Sequence, residues 1–272
     1  TEEWNGATPV GAWSTGASIN TARRSFAGAG IYTSALGFGG YNGSAQVNNT
    51  ESYNGTSWTE VNDLNTARQA LAGGGTQTSA FAACGQTAPP NAAVTNHEQW
   101  DGTNWTEASA TNAARRFIDG AAKDGNTNAI ITGGYTGTAY SAAVEVWDGT
   151  SWTETGDLNN ARGYMGVAGN NTNAICITGE GSPNPQNYVE TWDGSSWTEV
   201  TEINTARAQG AAAGDSSTNA LYFAGESPPK ANTEFWNGSS WTEVNDLSTA
   251  RTGLSGTGRT VNAIAFAGSA PP

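Results

Sequence analysis

Few residues in this chain could carry chemistry. There is one histidine, His97, and there are two cysteines, Cys84 and Cys176. Zinc and copper centres draw several ligands from His and Cys, and this supply does not furnish them. A Ser-His-Asp arrangement would have to run through His97, which ends a variable segment with no nucleophile motif beside it. As a lone loop histidine it is expected to be solvated, and it is kept only as a candidate loop contact. The two cysteines fall at different places in the repeats described below, so they read as small buried side chains rather than a disulfide. The glycines sit at strand and turn positions, which leaves no phosphate-binding loop, and no Asp/Asn array has calcium-loop spacing.

The residues that do recur with fixed spacing are arginine and glutamate. Arg23, Arg68, Arg115, Arg162, Arg207 and Arg251 each follow a tryptophan by ten residues. A ring of six arginines could bind an anionic or polyhydroxylated ligand. Alternatively, each could pair with a repeat-encoded glutamate such as Glu51 or Glu98, because buried charges come paired. One Arg and one Glu per repeat favours pairing, but both readings stand at this point.

The elements that position these residues are internal repeats. The pattern Glu-x-Trp-Asx-Gly occurs at Glu2, Glu98, Glu145, Glu190 and Glu234, and Glu51-Ser52-Tyr53-Asn54-Gly55 is a sixth copy with Tyr for Trp. A second Trp follows after five residues at Trp58, Trp105, Trp152, Trp197 and Trp241. In the first copy it comes later, at Trp13, after the insertion Ala7-Thr8-Pro9-Val10. All 11 tryptophans lie in these two columns, which suits packing between neighbouring units rather than ligand stacking. After each Arg comes a run of small residues such as Ala72-Gly73-Gly74-Gly75, then a turn, then an apolar strand such as Ala35-Leu36-Gly37-Phe38.

Each unit of roughly 44–49 residues therefore holds four short strands. The fold expected is all-β: a six-bladed β-propeller of four-stranded antiparallel blades, one domain over 1–272, with repeats starting near 2, 51, 98, 145, 190 and 234. The Gly/Ala strand should be innermost, where blades crowd a central channel, and the Trp-Thr-Glu-Val strand outermost. Asx-Gly marks the hairpin between strands three and four. The chain starts on a third strand and ends on a second one, so the closing blade should be shared by the N- and C-termini and remove open edges. The first residue is Thr1, which fits a processed product or part of a longer polypeptide.

These columns resemble the kelch repeat. Gly39-Gly40 and Gly133-Gly134 match its double glycine, Glu51-Ser52-Tyr53 its Glu-x-Tyr strand, and Trp58 and Arg68 its later columns. Cys84-Gly85, Thr178-Gly179, Ala224-Gly225 and Ala267-Gly268 depart from the double glycine. The phrase Trp58-Thr-Glu-Val-Asn-Asp-Leu-Asn-Thr-Ala-Arg68 looks like the near-identical repeats of marine bacterial and phage proteins. That resemblance implies a virion setting, among tail or fibre proteins. A galactose-oxidase-like site needs two His and a Tyr–Cys pair, and a sialidase-like site a Ser-x-Asp-x-Gly turn; neither supply is present. The expectation is no enzyme and no cofactor.

Net charge is −13, which disfavours nucleic acid and anionic lipid, and no apolar run is long enough for membrane insertion. An acidic, lysine-poor surface fits a virion, extracellular or cell-surface location. The expected role is a binding or structural module touching a protein, a cell-surface glycan or other virion proteins; the alternative is a glycan-binding lectin. The connections between strands two and three vary in length and chemistry, and variable loops on a regular scaffold carry specificity. Besides the arginine column, the candidate contacts are Tyr41, His97, Tyr135, Tyr140 and Tyr188.

Overall fold

The computed structural model describes residues 1–6, 11–182, 184–226 and 228–270. The insertion at 7–10 lies outside them. Blade I comprises Ala27–Ile31, Ser34–Phe38, Thr50–Tyr53 and Trp58–Val61, hydrogen-bonded in that order from the channel outward. Blades II to V repeat the plan, with first strands Ala72–Thr76, Asp119–Ala121, Gly166–Asn170 and Ala211–Ser216. Blade VI takes Ser255–Thr257 and Ile264–Phe266 from the C-terminal part, then Glu2–Asn5 and Ala12–Thr15 from the N-terminal part. Its seam is antiparallel, with Glu2 opposite Ala265 and Glu3 opposite Ile264. The protein is a six-bladed β-propeller, consistent with a kelch-like one, and the seam falls inside a blade as the repeat phase requires.

Composition decides strand position. The six first strands lie against one another around the channel, and their Gly/Ala content allows that approach. At Gly73, for instance, an added Cβ would come within 2.7 Å of both Ala27 and Phe38 of the preceding blade. The second strands supply the fully buried Leu36, Phe38, Phe81, Ile175 and Phe223.

The second-column tryptophans close the gaps between blades. Trp105 packs on Phe38 of the blade before it at 4.8 Å, Trp58 on Phe266 at 5.0 Å and Trp13 on Phe223 at 4.8 Å. Both columns are buried apart from Trp13, which is half-buried. Asn54, Asp101, Asp148, Asp193 and Asn237 at the outer hairpins each accept two backbone N–H groups, as Asp101 does from Thr103 and Asn104, which holds the turn. Both cysteines are buried and free.

Candidate functional site

The arginine column is the most regular polar feature. Arg23 meets Glu51 at 2.6 Å, Arg68 meets Glu98 at 2.8 Å, Arg115 meets Glu145 at 2.6 Å and Arg207 meets Glu234 at 2.5 Å. Arg162 pairs with Glu190, and Arg251 with Glu2 at 2.9 Å. Each pair joins the connection entering a blade to that blade's third strand. The second carboxylate oxygen accepts the backbone N–H three residues before the Arg, as in Asn65 to Glu98 at 2.7 Å and Ser248 to Glu2 at 2.7 Å. Arg23, Arg68 and Arg207 also donate to a second-strand carbonyl, Gly37, Ala82 and Tyr222 respectively. Five of these arginine side chains have no exposed surface, and Arg251 is 13% exposed.

His97 requires a correction. It lies on the third strand of blade II, His97–Trp100, and is fully buried rather than solvated on a loop. The residue before each repeat Glu is Thr1, Thr50, His97, Val144, Val189 or Thr233. Trp58 donates its indole N–H to Thr1 Oγ1, Trp105 to Thr50 Oγ1 and Trp13 to Thr233 Oγ1. Trp152 donates to His97 Nδ1 at 3.1 Å, so the imidazole stands where a threonine hydroxyl stands elsewhere. The same Nδ1 lies 3.1 Å from the Ser109 carbonyl, and Nε2 is buried without a partner among the described residues. Burial pulls the His97 pKa down to about 4.

The channel rim sits on the face of the variable connections. Two residues after each column Arg stand Ser25, Ala70, Phe117, Tyr164, Gln209 and Gly253, all with φ between 53° and 61°. Their backbones form a closed circle of hydrogen bonds: each N–H donates to the carbonyl of the equivalent residue one blade back, at 2.7–3.0 Å. The left-handed conformation costs roughly 1–2 kcal/mol for a residue with a Cβ. The circle holds it nonetheless, because every donor and acceptor in it is satisfied. The backbone is thus uniform, while the side chains differ from blade to blade.

That difference is lopsided. Phe117 and Tyr164 stack at 4.2 Å with rings 17° apart, and Gln209 follows them on the rim. Tyr135 and Tyr140 meet edge-on at 5.5 Å in the variable connection of blade III. Arg116 lies 5.2 Å from the Phe117 ring centre and 5.5 Å from that of Tyr135. Glu180 accepts from Tyr140 Oη at 2.9 Å and from Gln209 Nε2 at 3.0 Å. Burial and then the Glu180 bond push Tyr140 up to about 12. Burial and Glu180 also raise the Glu226 carboxyl. Blades VI, I and II contribute only Gly253, Ser25 and Ala70 to the rim.

Of the tyrosines singled out in the sequence, Tyr135 and Tyr140 join this cluster. Tyr41 lies on blade I, where Arg24 covers its ring at 5.5 Å. Tyr188 is half-buried on the third strand of blade IV. Phe117, Tyr164, Glu180 and Gln209 join the site without belonging to any repeat column of fixed residue type. The available signal was the irregular column two places after each arginine.

The channel, from the rim residues to Asp215 and Arg259 at the far mouth, holds about 510 Å³. Asp119 lines it and accepts the Val167 N–H of the next blade at 2.9 Å. Burial pushes Asp119 up to about 7. Asp215 also lies on an inner strand, at its far end. Asp215 meets Arg259 at 3.3 Å and Lys123 at 3.8 Å, and Arg259 reaches Asp124 on the opposite blade at 3.4 Å. These ion pairs cross the far mouth. Among the described residues no cluster of three or more His, Cys, Asp or Glu side chains could hold a metal.

No family model matches the chain, and comparison with curated proteins returns no match.

Proposed function

We propose that this chain is a non-catalytic binding or structural module of a virion or cell exterior. It contacts a protein, a neighbouring virion protein or a surface glycan through the face of the variable connections. One observation carries the reading: on a scaffold whose polar columns repeat, the Tyr135, Tyr140, Phe117 and Tyr164 rings gather on one side of the rim with Arg116 and Glu180. Departures from a consensus that is otherwise internally consistent mark grafted function. A non-catalytic role is supported by the burial of His97 between blades and by the pairing of the column arginines with glutamates. The net charge of −13 favours a partner other than nucleic acid or anionic lipid. The arginine column fixes blade geometry in this reading.

The second reading, a lectin, draws on the same cluster, since aromatic faces beside Glu180 and Gln209 suit the apolar face and hydroxyls of a sugar ring. The test is a glycan array run beside capture from host-surface extracts, with native protein and with Tyr135→Ala and Tyr140→Ala. Sugar binding that the variants lose selects the lectin. Protein capture that they lose selects a protein partner. Binding to either that both variants retain places the contact elsewhere and refutes the rim.

A further inference from the structure

The six-fold channel has chemistry on one side only. Asp119 is two residues below Phe117 on blade III, and its partner Val167 is three below Tyr164 on blade IV. The carboxylate and the aromatic stack therefore belong to the same pair of blades. Among the described residues Asp119 has no ion pair, whereas Asp215 at the far end is matched by Lys123 and Arg259. The facing blades bring Gly253, Ser25 and Ala70 to the rim, so the space opposite the stack is open. The ion pairs across the far mouth leave the rim as the way in.

Each feature selects among ligands. A cavity of about 510 Å³ is of the size that takes small organic molecules. A carboxylate without a cation, in a protein of net charge −13, attracts a positive charge. One carboxylate is a poor ligand set for calcium, which takes six to eight oxygen ligands. Every innermost strand is the edge of its sheet, and an edge leaves backbone N–H and C=O groups without a ladder partner. An ammonium group has three donors, enough for Asp119 and two such carbonyls. The Phe117–Tyr164 stack beside it supplies apolar surface for the body of the ligand.

We propose that the upper channel is a binding site for a small organic amine, its ammonium group on Asp119 and its apolar body against Phe117 and Tyr164. The site shares Phe117 and Tyr164 with the preceding proposal, but its anchor is Asp119 inside the channel, and it stands whether the outer partner is a glycan or a protein.

Benzylammonium is the probe, with benzyl alcohol and benzoate as neutral and anionic controls, at pH 8. Calorimetry should show saturable binding of benzylammonium to native protein and none of the controls. Asp119→Asn keeps an acceptor for Val167 and removes the charge; it should lower affinity at least tenfold while its thermal unfolding stays cooperative. Tyr135→Ala and Tyr140→Ala, outside the channel, should bind benzylammonium as the native protein does, even if they lose the outer partner. A measurement that needs no variant is the amide spectrum: benzylammonium should shift the Phe117, Gly120 and Val167 signals together. Equal binding of benzylammonium and benzyl alcohol, unchanged affinity in Asp119→Asn, or shifts confined to the outer strands would each overturn the proposal.

Discussion

Replacing His97 by threonine should change how stability depends on pH more than stability itself. In the fold the imidazole is neutral, with a pKa near 4, while in the unfolded chain it titrates near 6.5. Between those values the unfolded state binds a proton that the folded state refuses. The group's contribution is therefore complete above pH 6.5 and lost as the pH falls toward 4. The gap between about 4 and 6.5, at about 1.4 kcal/mol for each step of one in pKa, amounts to roughly 3.5 kcal/mol. Threonine carries no titrating group and occupies this position at Thr50 and Thr233, where it accepts an indole N–H. The smaller side chain leaves space beside Trp147, which contacts the imidazole at 4.5 Å, so the variant should lose about 1–2 kcal/mol at pH 7.5. It should gain on the native protein as the pH falls, and the two stability curves should cross between roughly pH 4 and 6. Urea unfolding followed by tryptophan fluorescence from pH 4 to 8 measures both. Parallel curves would refute the reasoning, since they would mean that His97 takes up its proton without leaving its place against Trp152.

Val144→Thr should raise stability by about 1 kcal/mol, because the Trp197 indole N–H is buried without an acceptor beside that position. Val189→Thr should gain less, because Trp241 already donates to Thr201; equal thermal shifts for the two would contradict this account. Arg115→Met should cost about 3–5 kcal/mol by stranding Glu145 in the interior, and adding Glu145→Gln should recover part of the loss in a double-mutant cycle. Arg251→Met should cost less, since that side chain keeps some exposure; no coupling in the Arg115 cycle would argue against a structural column. For Asp119 the folded pKa of about 7 stands above the unfolded 3.9, so its contribution is complete below pH 4 and lost as the pH rises through 7. The side chain is partly open to the channel, so Asp119→Asn should be more stable than the native protein by only about 1–3 kcal/mol at pH 8 and nearly equal at pH 4, read by thermal unfolding.

The blades were legible because each repeat column is one physical requirement repeated six times. Trp105 needs a neighbour such as Phe38, Arg68 needs Glu98, and Gly73 leaves room for Ala27, so spacing alone carried the architecture. His97 was misplaced because its column is defined by function rather than residue type. Threonine, histidine and valine share the position before Glu, and only the indole beside them shows that two of the three are acceptors. The rim was hidden for another reason. Positive φ is ordinarily read from glycine, yet Phe117 and Tyr164 adopt it, held by a hydrogen-bonded circle that no local pattern announces.

The same circle explains where variation could accumulate. The column arginines are bound on several sides, by a glutamate, backbone carbonyls and the connection that carries them, so altering one strands a buried charge. The rim residues contribute their backbone to the ring and little else, as Ser25, Ala70 and Gly253 demonstrate by filling three of the six places. Any side chain that tolerates the left-handed conformation can therefore stand there without loosening the fold. Phe117, Tyr164 and Gln209 occupy consecutive blades, directly above Asp119 and beside Tyr140 and Glu180. A scaffold that fixes its own geometry one shell away from the channel leaves these positions free to be set by what enters it.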